Sequence, residues 1–212
     1  MRISVLGATG RTGRQIVEQA LQAGHEVVAF ARKPEALEMD HERLTVVQGD
    51  ILDAERVSEA VGGAEAVISA LGAQRDSPEA MLTRGMANVV AAMKEHGVRR
   101  LIALTGAGVR LESDPASLGR TIVLALQGLF SPSPLRDAQG AVEVIRASGL
   151  DWTVVRVTRL SDRPGTGRVH GGAPRLEPIR SIPRADVARF VLEQVTDERY
   201  LVQAPMVAPA PR

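Results

Sequence analysis

The sequence predicts an α/β protein built on a doubly wound parallel sheet, with a small C-terminal lid region. Three observations carry this. Short apolar runs alternate with longer amphipathic stretches along the chain. Most short runs are continuously apolar, as in VVAF, AVISAL and LIAL, which suits strands covered by helices on both faces. The first of these runs leads directly into a glycine-rich turn, Gly7-Ala8-Thr9-Gly10-Arg11-Thr12-Gly13.

Taken in order, strands are expected at residues 2–6, 26–31, 44–48, 66–70, 101–105 and 152–157. Helical periodicity falls between them, at 12–23, 54–61, 78–96 and 137–148. Gly24, Gly97 and Gly149 each follow a helix where a left-handed residue closes the last turn. Asp53 is placed to cap the second helix, and Ser77-Pro78 reads as a cap followed by proline at the first helical position. Asn88 sits inside the third helix, where alanine is preferred, and is expected to bond a neighbouring loop. A last helix, 184–195, follows Pro183 and spaces Val187, Phe190, Val191 and Val195 along one face. From Ala204 the chain is rich in proline and alanine, and poor order is expected there.

Two stretches break the rhythm. Residues 106–134 and 158–183 leave the carboxyl ends of strands, where open α/β sheets bind ligands, and long loops there read as lid or substrate segments. Within the first, residues 118–130 form an apolar helical pattern that equally fits a packing or dimer helix. One domain is expected to span residues 1–212, as a monomer or homodimer.

Composition excludes several function classes. The chain has 212 residues, 26 basic and 25 acidic, and a net charge of +1, which leaves no clustered positive footprint for nucleic acid. With no cysteine there is no disulfide, thiolate zinc site or thiol nucleophile. The five aromatic residues, Phe30, Phe130, Trp152, Phe190 and Tyr200, are too scattered for a base-stacking platform. No apolar run reaches the roughly 18 residues of a membrane span, and MRISVLG lacks a signal-peptide layout. A cytoplasmic location is expected. His25, His41, His96 and His170 show no metal-ligand spacing, so no metal site is expected. His25 and His96 fall at helix C-terminal ends, where a cation is favoured. His170 lies in the late glycine-rich loop, within possible reach of a substrate. Arg159, Arg163, Arg168 and Arg175 share that loop and read as a solvated face or as a lure for an anionic substrate.

The glycine turn carries the chemistry. Gly7 makes the tight turn, Gly10 admits a pyrophosphate to the backbone, and Gly13 lets the helix approach the sheet. Thr9, Arg11 and Thr12 share the helix N-terminus, whose N–H groups and dipole favour phosphate. The second strand ends in Phe30-Ala31-Arg32-Lys33-Pro34. An NAD site wants an acid there for the ribose hydroxyls. Arg32 and Lys33 instead offer charge to a 2′-phosphate, and Arg11 can point the same way, so the cofactor is expected to be NADP.

The strings VLGATGRTGRQIVEQAL, ARKP, VVQGDILD, AVISALG and GLDWTVVR together resemble the atypical short-chain dehydrogenase/reductase proteins. Within them the likeness is to the NAD(P)H-binding branch with biliverdin-IXβ/flavin reductase-like and NmrA-like members. It runs from Arg2 to about Tyr200 and implies a Rossmann fold. It also implies that Asp50 and the Ile51 backbone meet the adenine, and that Ala70, Leu71 and Gly72 lie along the ribose and bridge. By the same likeness Thr105 stands near the nicotinamide, and the converging carboxyl ends of strands four, five and six are expected to bring that end of the cofactor near Thr105, Gly106 and the segment from Val157 to Leu160. The family's usual Tyr-x-x-x-Lys pair is absent: four residues before Lys33 and Lys94 stand Ala29 and Val90, and Tyr200 is the sole tyrosine. Asp137-Ala138 replaces a polar Asp-Lys pair, and Arg156-Val157 replaces Arg-Pro. The expected activity is therefore hydride transfer from NADPH to a small conjugated acceptor such as a flavin, quinone or tetrapyrrole, with Thr105 at the reaction centre. The alternative is a non-catalytic NADP(H)-sensing regulator of the NmrA-like type.

Overall fold

A computed structural model describes residues 1–73, 77–111, 114, 132–173 and 181–210. The elements begin with β1 (Arg2–Leu6), α1 (Arg11–Gln22), β2 (Glu26–Ala31), a 3₁₀ turn (Pro34–Leu37), β3 (Leu44–Gln48), α2 (Ala54–Val61) and β4 (Ala66–Ser69). They continue through α3 (Met81–Glu95), β5 (Arg100–Gly106), α4 (Pro132–Arg146), β6 (Asp151–Val157), β7 (Leu160–Ser161), β8 (Val169–Gly172), β9 (Ile182–Pro183), α5 (Arg184–Glu193) and β10 (Met206–Pro209). The main sheet runs β3-β2-β1-β4-β5-β6-β10-β8. Every pair from β3 to β10 is parallel, and only β8 runs antiparallel, along β10. The order reverses between β1 and β4, which makes their carboxyl ends the switch point of a Rossmann sheet.

Both faces of the sheet are covered because its strands carry apolar residues on both sides. Ile3, Val5, Ile68 and Val155 pack with Ile16, Val17, Val187 and Val191 of α1 and α5. Leu6, Val67, Leu101 and Val154 pack with Val57, Val89 and Val142 of α2, α3 and α4. Each such side chain contributes about 1.5–3 kcal/mol on burial. The helix ends follow the local signals: Gly24, Gly97 and Gly149 have φ of +87, +69 and +72. The Asp53 carboxylate accepts from the N–H groups of Glu55 and Arg56 at the start of α2. Asn88 donates to the Ile51 carbonyl at 3.0 Å, tying α3 to the loop after β3.

Three local expectations are corrected. Helix α3 starts at Met81, after a left-handed Ala80, rather than at Pro78. Its cap is Asp137 of α4, whose carboxylate takes the N–H groups of Leu82 and Thr83 at 2.8 Å and the Thr83 hydroxyl. The proline-rich tail is ordered as β10, inserted between β6 and β8, because neighbouring strand edges satisfy its backbone. His25 is no favoured cation: burial and the N-terminal ammonium lower its pKa despite Glu65 nearby. Residues 118–130 and Arg175 lie outside the described residues.

The stretch after β6 is held at the first turn of α5. Strands β7 and β9 pair in parallel as a separate two-stranded clip. Buried Asp186 takes the Thr166 N–H and hydroxyl and the Gly167 N–H, at 2.9, 2.7 and 2.8 Å. Tyr200 donates to the Gly171 carbonyl at 2.8 Å and packs on Phe190, so the sole tyrosine fastens β8. Burial raises the Asp186 pKa, but the hydrogen bonds from Thr166 and Gly167 and the charge of Arg189 outweigh it and hold the carboxyl below its ordinary value. Stability from this carboxylate is therefore complete above pH 3.8 and lost as pH falls through the lower folded-state pKa. Asp186→Asn is expected to cost about 1–3 kcal/mol near neutrality. In denaturant titrations at several pH values, the gap between wild type and variant closes only below that range.

Candidate functional site

The turn after β1 is shaped by three glycines with different duties. Gly7 has φ +79, and a Cβ on it would stand 3.1 Å from the Ala70 carbonyl group. Its N–H and that of Ala8 point to the Phe30 carbonyl at 3.2 and 3.4 Å, so the turn is braced on β2 and pressed against the end of β4. At Gly13 a Cβ would lie 2.1 Å from the Gly7 carbonyl oxygen, a contact that only glycine permits. Gly10 caps α1 with an ordinary extended backbone, φ −67 and ψ 155, and no side-chain cap bond. No acid stands in the first turn of α1, and Gly10 and Arg11 are exposed. This N-terminus presents N–H groups and a positive dipole end at the switch point, the arrangement that a pyrophosphate requires.

The remaining candidates lie along the same rim. Arg32 and Lys33 follow β2 and are exposed. Arg14 of α1 bonds the Ala36 carbonyl and pairs with Glu38 at 3.7 Å, which staples the turn after β2 to α1. Asp50 is exposed and accepts from the Leu52 N–H at 2.9 Å, closing the loop after β3. The Ile51 side chain is buried and its carbonyl already serves Asn88, leaving its N–H as the part suited to a ligand. Beyond β4, Ala70 and Leu71 are half-buried beside Gly7, and a Cβ on Gly72 would meet nothing. Thr9 and Thr12 are half-buried in the turn.

At the far end of the rim, Thr105 and Gly106 stand in register with Arg156 and Val157. Thr105 is half-buried, and a Cβ on Gly106 would project into open space. The Val157 side chain is buried on the α1 and α5 face and its carbonyl takes the Ala107 N–H, so it shapes the rim from beneath. Arg156 is 2% exposed and pairs with Asp114 through two bonds of 2.7 and 2.8 Å. It also donates to the Ala204 carbonyl and thereby joins the stretch after β5 to the approach to β10. His170 is exposed on edge strand β8, opposite Ala208, and is separated from β6 by β10.

A family model described as NAD(P)H-binding matches residues 7–198. The chain belongs to this NAD(P)H-binding family. Its relatives include a 3-diazoavenalumate denitrifying reductase from Streptomyces, 33% identical, matched over 84% of this chain and 62% of that protein. A short-chain dehydrogenase/reductase from Veillonella parvula, solved in complex with NADP, superposes with a TM-score of 0.78 at 23% identity, over 98% of this chain and 94% of that one. An anaerobillin reductase from Escherichia coli O157:H7 gives 0.77 at 22%, over 99% and 97%. These two likenesses are of fold. The turn described above fits an NAD(P)H-binding protein on its own geometry.

One other polar constellation is set aside by its chemistry. The Ser58 hydroxyl meets His96 Nε2 at 2.8 Å and Glu95 at 3.2 Å. The glutamate meets the serine rather than orienting the histidine, the reverse of what an activated serine needs. Side chains the sequence did not single out do matter at the site. Asp162 takes Arg11 at 3.2 Å and Arg184 at 2.5 Å, a junction that no local pattern in the sequence marks.

The glycine geometry separates two substitutions. Gly10→Val is expected to leave the fold intact, since its φ suits any residue and a Cβ meets only the Gly7 oxygen at 3.2 Å. It should abolish nucleotide binding by filling the phosphate's approach. Gly13→Ala is expected to destabilise by about 1–3 kcal/mol through overpacking. Thermal melts with calorimetric titration check both.

Proposed function

We propose that the protein is an NADPH-dependent reductase that delivers hydride to a small conjugated acceptor such as a flavin, quinone or tetrapyrrole. The observation that carries this reading is the asymmetry of the rim. At the β2 end stand two exposed cations, Arg32 and Lys33, ahead of the acids Glu35 and Glu38, of which Glu38 is paired to Arg14. At the β5–β6 end, Thr105 is half-buried and a Cβ on its neighbour Gly106 would meet open space. The first end suits a 2′-phosphate and the second suits an acceptor laid over a nicotinamide. The reductase name of the Streptomyces relative supports the same reaction class.

The cofactor supplies the hydride, and the protein's share is positioning and exclusion of water. The glycine turn and α1 would hold the pyrophosphate, and Arg32 and Lys33 would offer charge to the 2′-phosphate. Thr105 orients the acceptor or a water molecule through its hydroxyl. Tyr200 is committed to the Gly171 carbonyl and takes no part. An acceptor of extended conjugation suits this site because it can take hydride and draw its proton from water.

NADPH is expected to bind more tightly than NADH. Arg32→Ala should erase most of that preference, by about 1.5–3 kcal/mol, or roughly ten- to hundredfold. Equal affinities in the wild type, measured by calorimetric titration, contradict the assignment. Thr105→Val keeps shape and removes the hydroxyl. It is expected to lower kcat by about tenfold, below the roughly 10²–10⁴-fold of true acid/base work because threonine only positions, with KM for NADPH nearly unchanged. Steady-state kinetics showing no fall in kcat would remove Thr105 from the reaction centre.

A further inference from the structure

We infer that Asp162 is a positioning residue for the nucleotide: it competes with cofactor phosphate for Arg11 and so sets how tightly the glycine turn holds its ligand. The inference rests on nucleotide binding at that turn and adds a residue from a distant part of the chain. Arg11 is the first residue of α1, immediately after the Gly10 cap. Its guanidinium meets Asp162 Oδ2 at 3.2 Å, with both side chains well exposed. The other carboxylate oxygen, Oδ1, accepts from Arg184 at 2.5 Å, and that arginine is only 11% exposed. One carboxylate thus bridges a largely buried cation at the base of α5 and a solvated cation at the glycine turn.

The two arms of this bridge are unequal. Arg184 is packed at the start of α5, the same turn whose Asp186 holds Thr166 and Gly167. Asp162 is thereby held by its stronger arm, together with the stretch after β6. Arg11 is the weaker, solvated arm, and a guanidinium there has two possible anionic partners. A phosphate at the α1 N-terminus offers more charge than the carboxylate and accepts a bidentate pair. Arg11 can pair fully with one of them only by giving up the other. Asp162 therefore lowers nucleotide affinity by the strength of its own bond to Arg11. Once that bond is broken, Arg184 still balances the Asp162 charge, so little direct repulsion of the ligand remains.

The test is a double-mutant cycle read by calorimetric titration with ADP, which carries a pyrophosphate without nicotinamide, and with NADPH. Asp162→Asn keeps size, and its amide oxygen can still accept from Arg184, so the stretch after β6 stays anchored; an unchanged thermal melt checks this. The substitution is expected to tighten both ligands by about three- to fivefold at low ionic strength, the range of a solvated ion pair. The gain should shrink toward unity at about 1 M salt, where the screening length falls to ~3 Å. With Arg11→Met in place, Asp162→Asn should change affinity by less than about twofold. A merely structural role for Asp162 predicts unchanged or weaker binding in Asp162→Asn, and either result overturns the inference. An equal gain with and without Arg11 also overturns it, because the effect then bypasses Arg11. If the wild type binds neither ADP nor NADPH, nucleotide binding at the turn fails and the inference falls with it. If it binds both and Asp162→Asn is silent, only the role of Asp162 fails.

Discussion

The close approach of α1 to the turn after β1 is the constraint on which the site depends. A Cβ at Gly13 would lie 2.1 Å from the Gly7 carbonyl oxygen, so the helix can sit this near the sheet only with glycine at that position. The approach sets the α1 N-terminus directly at the switch point between β1 and β4. It also fixes Gly7 against Ala70, which brings the loop after β4 to the same place. Everything else on the rim is measured from this contact: the cations after β2 on one side, and Thr105 with Gly106 on the other. Helix packing and phosphate recognition are thus one geometric requirement.

A second centre of organisation is the first turn of α5. Arg184 holds Asp162 and Asp186 holds Thr166 and Gly167, so two charged residues of one turn secure the stretch after β6. On the opposite face the buried Arg156–Asp114 pair secures the stretch after β5 to the end of β6. Breaking a buried pair by removing one partner typically costs about 3–5 kcal/mol. Both stretches leave the carboxyl ends of β5 and β6, beside Gly106. Local glycine geometry thus shapes the turn that suits a nucleotide, and long-range ion pairs hold the stretches beside the far end of the rim.

This division also explains what was legible in the sequence. The strands, the alternation and the glycine turn were readable because their signals are local: apolar runs, caps at Asp53, and glycines spaced through one turn. Asn88 was readable because a polar residue inside an amphipathic helix needs a partner, and it has one in Ile51. The start of α3 was not readable, because its cap, Asp137, comes from a helix 55 positions away from Leu82. The tail departs from its local signal for a related reason. Proline and alanine signal weak local order, yet β10 is ordered by the edges of β6 and β8. The Arg11–Asp162 contact spans 151 positions, and nothing near either residue announces it. The segment 118–130 lies outside the described residues, so its apolar pattern stands as a sequence expectation.

A reductase differs from a nucleotide sensor in that its rim transfers hydride rather than merely holding the cofactor. A single-turnover experiment with NADPH deuterated at the transferring nicotinamide carbon tests for this transfer most directly. Stoichiometric protein and labelled NADPH would be mixed with a flavin, a quinone and a linear tetrapyrrole in turn. At least one acceptor is expected to be reduced, and more slowly than with unlabelled cofactor; a tetrapyrrole reduced at carbon should keep the deuterium in its product, whereas a label placed on a flavin nitrogen or a quinone oxygen exchanges into water and is read from the rate alone. NADPH that binds tightly and stays unoxidised with every acceptor would contradict the reductase reading, and would describe a protein that senses the nucleotide without chemistry.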